Sequence, residues 1–330
     1  MEVQKKRILT GDRTTGRLHL GHYVGSLKSR VELQDEYDTF ILLADIQALT
    51  THFEQPELLY SSIFDVTIDN LSVGLDPAKV TIVQQSAVKA IAEMTVFYSM
   101  LVSVNALRHN PTIKTEAEQY GYNEMSYGFL GYPVSQTADI TFCNAHLVPV
   151  GEDQLPHIEL TRKIVRKFND MYGTHIIEPQ AKLSQVSRLA GLDGNAKMGK
   201  STGNAIYLSD TPKDVEQKVR MAVTDPARVT RYIPGTPEIC NVGKYHRIFT
   251  PDQCDNIWEM CRTATIGCVA CKKILSGSLN TLLDPMREKR AYYESHMDEV
   301  KEIIVSGTRK ASVIGDAQVD SMREAMHLKI

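Results

Sequence analysis

Net charge is what this chain has least of: 37 lysines and arginines against 40 aspartates and glutamates leave a formal −3 over 330 residues. No global basic field draws such a chain to nucleic acid, so any RNA contact must come from local patches such as Lys272-Lys273 or Arg287 to Arg290. Long apolar runs are missing too, and with them any bilayer-spanning segment. The stretch Met-Glu-Val-Gln-Lys-Lys-Arg is polar and leads into a strand-like run rather than the apolar region of a signal peptide, so a cytosolic protein is expected. In that compartment six cysteines are not expected to act as disulfide staples. Internal repeats and low-complexity tracts are absent as well. What is present, 42% hydrophobic residues, exceeds the needs of one modest core and suggests one large or two medium domains.

The rest of the chain is organised around Gly11-Asp-Arg13-Thr14-Thr15-Gly16-Arg-Leu-His19-Leu-Gly21-His22. Strand-like Ile8-Leu9 breaks into a turn of small residues, and apolar positions at helical spacing then run from Leu18 through Val24, Leu27 and Val31. Strand, tight turn and helix leave backbone N–H groups and the positive end of a helix where phosphate can dock, with His19 and His22 three apart on one helical face. Such turns are common, and two histidines can equally be half a metal site or sit on a surface. Far downstream, Lys197-Met198-Gly199-Lys200-Ser201 lies in a glycine-flanked loop, where two lysines can neutralise charge appearing on a leaving polyphosphate.

Between these motifs, apolar runs at Thr39–Ala44 and Lys79–Gln84 read as strands, and Pro56–Val73 and Ile91–Val104 as helices. The alternation predicts a parallel sheet covered on both faces, with ligands beyond the carboxyl ends of its strands, where the first turn and Asp45-Ile-Gln47 emerge. Arg108–Lys114 and Gly121–Gly128 read as loops. A helix beginning after Pro133 puts Ser135, Gln136 and Asp139 near one face of an apolar segment, where a carboxylate needs a partner. His146–Val150 reads as a buried strand running into Gly151-Glu152-Asp153-Gln154 and a helix over 155–171. From about Ser209 helices follow without strands: Pro212–Ala222, Pro251–Thr263, Ser278–Ser295, Met297–Val305 and Gln318–His327.

Together, His19-Leu-Gly21-His22 and Lys197-Met198-Gly199-Lys200-Ser201 resemble the two signatures of class I aminoacyl-tRNA synthetases. Asn110-Pro-Thr-Ile-Lys114, Tyr132-Pro-Val-Ser-Gln-Thr-Ala-Asp-Ile140 and Val148-Pro-Val-Gly-Glu-Asp-Gln-Leu-Pro-His-Ile-Glu159 narrow the resemblance to the bacterial tryptophanyl-tRNA synthetases, over nearly the whole chain. The fold expected is α/β: a Rossmann-like parallel-sheet catalytic domain over 1–201, an all-helical anticodon-binding domain over 202–305, and a C-terminal helix over 306–330 that packs back on the first.

The resemblance implies attack of the tryptophan carboxylate on the α-phosphorus of ATP, release of pyrophosphate, and transfer of tryptophan to tRNA(Trp), with Mg²⁺ accompanying ATP. It assigns His19, His22, Lys114, Lys197 and Lys200 to catalysis by positioning and charge stabilisation. Arg13, Thr14, Thr15, Gly21, Met198, Gly199 and Ser201 would line the phosphates, Gly151, Glu152 and Asp153 the nucleoside, and Leu189 the adenine. Asp139 would accept the indole N–H, with Gln154, Val148, Val150, Gln47, Gln136 and Tyr132 around the amino acid. A homodimer is implied as well. Four positions depart from the family pattern: Thr14 stands for proline, Gly199 for serine, Gln47 for histidine and Gln136 for methionine. Rival readings are a tyrosyl-tRNA synthetase, an adenylyltransferase sharing the His-x-Gly-His turn, and a non-catalytic tRNA-binding paralogue.

Five of the six cysteines fall between Cys240 and Cys271. On an unbroken helix Cys254, Cys261, Cys268 and Cys271 would share a face as small hydrophobes. Alternatively, Cys240 with Cys261-x6-Cys268-x2-Cys271 resembles the four-cysteine pattern of those family members that hold a [4Fe–4S] cluster, with Cys254 competing as fourth ligand and zinc a further option.

Overall fold

The computed structural model describes residues 5–183, 189–194, 198–200 and 202–329, apart from the side chain of Asp153. The chain divides into two compact units, one formed by Met1–Gly16, Gly25–Ser187 and Tyr293–Ile330, the other by Arg17–Val24 and Arg188–Tyr292.

The first unit is built on a five-stranded sheet: β1 (Arg7–Arg13), β2 (Asp38–Ala44), β3 (Val80–Gln84), β4 (Leu147–Val150) and β5 (Gln180–Leu183), in the order β3-β2-β1-β4-β5. Every pairing is parallel. The order reverses at β1, so the crevice beyond the carboxyl ends of β1 and β4 is the topological switch point where an open α/β sheet binds ligands. Strand β1 is longer than its apolar residues indicate, because it continues through Gly11 to Arg13 rather than breaking into the turn. Gly11 permits this close pairing: a Cβ there would sit 2.4 Å from the Leu42 carbonyl oxygen of β2. At its end, buried Arg30 makes a two-pronged pair with Asp12 at 2.5 and 3.1 Å, and Asn70 bonds both partners. Two charges this deep persist only when each is hydrogen-bonded, and the network fixes where the following turn begins.

Several elements differ from the sequence expectation. Asn110 is an N-cap, its Oδ1 accepting from Thr112 N at 3.0 Å, and a helix follows over Pro111–Tyr120, so Lys114 is an exposed helical residue rather than a loop lysine. The helix expected after Pro133 begins at Tyr127, capped by Ser126, and runs to Thr141 with Pro133 inside it. Burial of Phe129 and Leu130 in the core supports the added first turn against the lost N–H of proline. Strand β5, polar and at the sheet edge, carries no apolar alternation that sequence reading could detect.

The last helix is continuous over Met297–Ala325, joining two segments read as separate. It covers the free edge of β3, with Gln84 N donating to Thr308 Oγ1 at 2.9 Å. Gly307 lies so near that a Cβ would come within 2.1 Å of the Ile82 carbonyl oxygen, so a helix seals a strand edge that would otherwise present unpaired backbone.

The second unit is helical: Pro212–Met221, Asn241–Phe249, Pro251–Arg262 and Cys268–Ser295. The helix over Asn241–Phe249 has no counterpart among the sequence candidates.

Candidate active site

In the second unit, the histidine signature is paired through its backbone with the segment that follows the lysine loop. Leu20 N donates to the Ile206 carbonyl at 2.9 Å and Leu208 N to the Leu18 carbonyl at 3.0 Å, with His19 and Tyr207 as an antiparallel bridge. This ties the segment just after the lysine loop to the first signature. His19 is not on the helical face expected for it. It is the N-cap of the turn Leu20–His22, its Nδ1 accepting from Gly21 N at 3.1 Å, while Nδ1 of His22 accepts from His19 N at 3.2 Å. In the neutral rings this leaves the proton on Nε2 of each histidine. The rings lie 3.9 Å apart between centroids. Gly21 is confined by His19 and by Met198, whose Cβ would be 3.5 Å from a Cβ at position 21.

Met198 is buried, and its N–H donates to the carbonyl of Leu189, itself buried, at 3.0 Å. Asn204 organises the turn: its Oδ1 accepts from Gly199 N at 3.0 Å and its Nδ2 donates to Asp193 at 2.9 Å. Thr202 Oγ1 donates to the same Asn204 oxygen, and a Cβ at Gly199 would meet that hydroxyl at 3.3 Å. Lys200 is half-buried in the turn, while Lys197 and Ser201 lie outside the described residues.

In the first unit, Arg13, Thr14 and Thr15 follow at the end of β1, with Thr15 N donating to the Arg13 carbonyl at 2.9 Å. Arg13 reaches Thr51 Oγ1, the Ala48 carbonyl at 3.4 Å and Tyr120 Oη at 3.5 Å. Thr14 is fully buried, and its hydroxyl has no partner among the described residues. Gly151 and exposed Glu152 begin the short turn after β4; Gln154 ends it, half-buried, ahead of the helix Leu155–Tyr172. The Asp153 side chain is outside the described set.

The specificity candidates converge on the helix Tyr127–Thr141. Tyr132, Gln136 and Asp139 stand at i, i+4 and i+7, one face of that helix. Asp139 is 2% exposed, and its Oδ1 accepts from Gln85 Nε2 at 2.7 Å. Burial is the main force on its carboxyl, pushing the pKa from the ordinary 3.8 up to about 7; the Gln85 bond opposes the shift and the charge of Asp45 adds to it. Gln136 keeps a buried Oε1 without a partner among the described residues. Tyr132 Oη bonds Nε2 of fully buried His157 at 2.8 Å. Val148 is buried on β4, and Val150 packs against the same core. Gln47 is half-buried on the helix Asp45–His52. Sequence reasoning missed Gln85 and His157; nothing in the pattern distinguishes Gln85, although His157 falls within a quoted motif.

The cysteines are not on one unbroken helix. The helix Pro251–Arg262 ends before Ala264, which adopts φ +55°, and a new helix starts at Cys268. Cys240, Cys261, Cys268 and Cys271 then line one cavity together with Arg228, whereas buried Cys254 does not. Arg228 Nη1 lies 3.4 Å from the Cys261 sulfur while the rest of the guanidinium donates to the carbonyls of Arg231, Ile233 and Ile266. His246 Nε2 is 3.3 Å from the Cys271 sulfur. Burial, then the neighbouring Cys240, Cys261 and Cys268, pushes the Cys271 thiol up to about 12. Among the described residues no three His, Cys, Asp or Glu side chains are gathered as ligands of a single metal ion.

The first unit carries a parallel sheet with a switch-point crevice and the second a histidine turn paired with the segment after the lysine turn; the family described as tRNA synthetases class I (W and Y) matches residues 1–284. The chain is 47% identical to the tryptophan–tRNA ligase of Streptococcus mutans and 44% identical to that of Thermotoga maritima; the alignments cover 98% of this chain and 98% and 99% of those proteins. It superposes on the Campylobacter jejuni tryptophanyl-tRNA synthetase complexed with ADP and tryptophan at TM-score 0.86 and 28% identity, covering 97% of this chain and 99% of that one. The chain belongs to the tryptophan–tRNA ligases of the class I aminoacyl-tRNA synthetases. Likeness to the tyrosyl-tRNA synthetase of Archaeoglobus fulgidus, at 22% identity and TM-score 0.68, is one of fold alone.

Proposed function

We propose that this chain activates L-tryptophan with ATP and Mg²⁺ to tryptophanyl-adenylate and pyrophosphate, then passes tryptophan to tRNA(Trp), with the following side chains in the working roles. Asp139 accepts the indole N–H; the observation that carries this is a carboxylate buried on the Tyr132 and Gln136 face with a single donor, Gln85, among the described residues. A site built to pair a ligand N–H leaves its own carboxylate unpaired against a ligand lacking that group, and so discriminates far better than apolar shape, which gives only ~1–3 kcal/mol per methylene. Val148 and Val150 form the apolar wall, with Gln47 and Gln154 toward the amino acid. Gly151, Glu152 and Asp153 run along the nucleoside and Leu189 along the adenine.

His19 and His22 donate from Nε2 to the phosphates, and Arg13, Thr14, Thr15 and Gly21 line that turn. Lys197, Lys200, Ser201 and the backbone of Met198 and Gly199 close over the leaving pyrophosphate, assisted by Lys114. No enzyme nucleophile is needed, since positioning and charge stabilisation carry adenylate formation. The working protein is a cytoplasmic homodimer in this reading, with 202–305 contacting the anticodon.

The same reading places a [4Fe–4S] cluster on Cys240, Cys261, Cys268 and Cys271. Four thiols lining one cavity beside a guanidinium support thiolate ligation in this reading, although among the described residues no three donors are gathered as ligands of a single ion. Such a cluster supplies bracing of the helical unit, not redox chemistry for aminoacylation. Protein purified without oxygen should be brown and carry iron; a colourless preparation free of iron and zinc removes the cluster.

Amino-acid-dependent ATP–pyrophosphate exchange tests the main reading. Exchange with tryptophan and not tyrosine is expected, and Asp139→Ala should lower kcat/KM for tryptophan by at least about a hundredfold. Exchange with tyrosine alone, or an unaffected Asp139→Ala, would overturn the assignment.

A further inference from the structure

Gln85 lies just past β3, in the short turn Gln85–Ala87, and is completely buried. Its side-chain amide has two partners of different kinds. Oε1 accepts from the backbone N of Gln47 at 3.1 Å, and Nε2 donates to Asp139 Oδ1 at 2.7 Å. A backbone N–H can only donate, so it dictates which end of the amide faces it. The opposite end must then be the NH2, and it must face Asp139. The carboxyl is thereby held with Oδ1 as an acceptor, whichever protonation state it is in, and no other donor among the described residues reaches it.

The turn that carries Gln85 is itself gripped from the other side. Asp45, at the start of the helix that bears Gln47, accepts from Ser86 N at 2.9 Å, Ser86 Oγ at 2.5 Å and Gln84 Nε2 at 3.0 Å. It also accepts from its neighbour Ile46 N at 2.9 Å. Residues 84 and 86 are therefore tied to Asp45 while residue 85 is tied to Gln47, a reciprocal clasp that leaves the amide one orientation.

We propose that Gln85 is a positioning residue for amino-acid specificity: locked by the Gln47 N–H, it occupies Oδ1 of Asp139 as donor and so reserves Oδ2 for the indole N–H of tryptophan. This rests on the reading of Asp139 as the indole acceptor. Gln85 is held between Gln47 and Asp139, both on the amino-acid side in this reading, so its loss acts on tryptophan recognition rather than on ATP. The carboxyl freed by that loss can rotate, protonate or turn its acceptor away from the ligand. Asp45 is the other charged group that bears on Asp139, and its negative charge favours protonation of a carboxyl that has lost its donor.

The test is ATP–pyrophosphate exchange by the full-length protein carrying Gln85→Met, with tryptophan and with its benzothiophene isostere, in which sulfur replaces the indole N–H. KM for tryptophan should rise about ten- to a hundredfold, the worth of a hydrogen bond to a charged group, while KM for ATP stays within about twofold. The preference for tryptophan over the isostere should shrink in the same proportion, a change that general loosening does not produce. Where Gln85→Met unfolds, Gln85→Glu preserves the volume, and its KM for tryptophan should also rise, because two carboxyl groups in contact cannot both ionise.

An unchanged KM for tryptophan, or KM values for tryptophan and ATP rising together, overturns the assignment. Asp139→Asn separates the two levels of the argument. If it raises KM for tryptophan and the Gln85 variants do not, Gln85 has no such role and Asp139 keeps its own; if Asp139→Asn is silent, both fall.

Discussion

Asp139 and the four-cysteine cavity are two solutions to one problem, the burial of groups that can ionise. Around Asp139 the neighbours are a neutral amide and a second carboxylate, so the pKa rises to about 7 and the carboxyl sits near its point of ionisation at physiological pH. Around the cysteines the neighbour is a guanidinium, yet burial and mutual repulsion still push Cys271 to about 12, leaving a neutral thiol when nothing is bound. Under the proposed function, the carboxyl is poised to change state when the indole N–H arrives. For the proposed cluster to form, each thiol must lose its proton, and the binding would then add to folding free energy.

The largest effect that would sharpen this contrast is expected at Arg228. It satisfies three backbone carbonyls, those of Arg231, Ile233 and Ile266. Arg228→Met leaves these without their donors, and thermal unfolding should report a loss of several kcal/mol, with a fall in any iron the proposed cluster brings. Retained stability and iron would show that the guanidinium is incidental to the cavity.

A second test exploits the titration of Asp139. Its folded pKa lies above the unfolded value, so the folded state binds more protons than the unfolded state between about pH 4 and 7. Its contribution to stability is therefore greatest below pH 4, declines as pH rises through that window and is constant above 7. Asp139→Asn should flatten that decline in ligand-free protein, and an identical pH slope in denaturant melts would mean that the group ionises freely. Tryptophan, which needs an acceptor, should reverse part of the slope.

The smallest effect is expected at Cys254, which is buried but outside the cavity. Cys254→Ala should cost ~1 kcal/mol as a small-hydrophobe truncation and leave any iron of the proposed cluster unchanged, whereas Cys271→Ala should abolish it. Equal iron loss from both would dissolve the distinction between inert and ligating thiols.

Much of the architecture was legible because the β2 and β3 runs are apolar throughout, as strands buried on both faces must be. The adenylate-forming family was legible because its motifs are local, each needing only a few consecutive residues. Helix boundaries at Asn110 and Tyr127 were not, since a single cap and the burial of Phe129 outweighed the local signal from Pro133. Likewise the seven-residue cysteine spacing suggested one helix, but the left-handed conformation at Ala264 divides it and exchanges Cys254 for Cys240 at the cavity.

By itself, then, the sequence determined the parallel sheet and the family, because each is written in residue type and local period. Tertiary structure alone decided that the histidine signature pairs through backbone, residues 18–20 with 206–208, with the segment that follows the lysine signature, and that His19 caps rather than extends the helix. It also decided that Asp139 answers to Gln85, 54 positions away. Hydrogen-bond direction depends on which groups are brought within 3 Å of one another, and no local pattern carries that information.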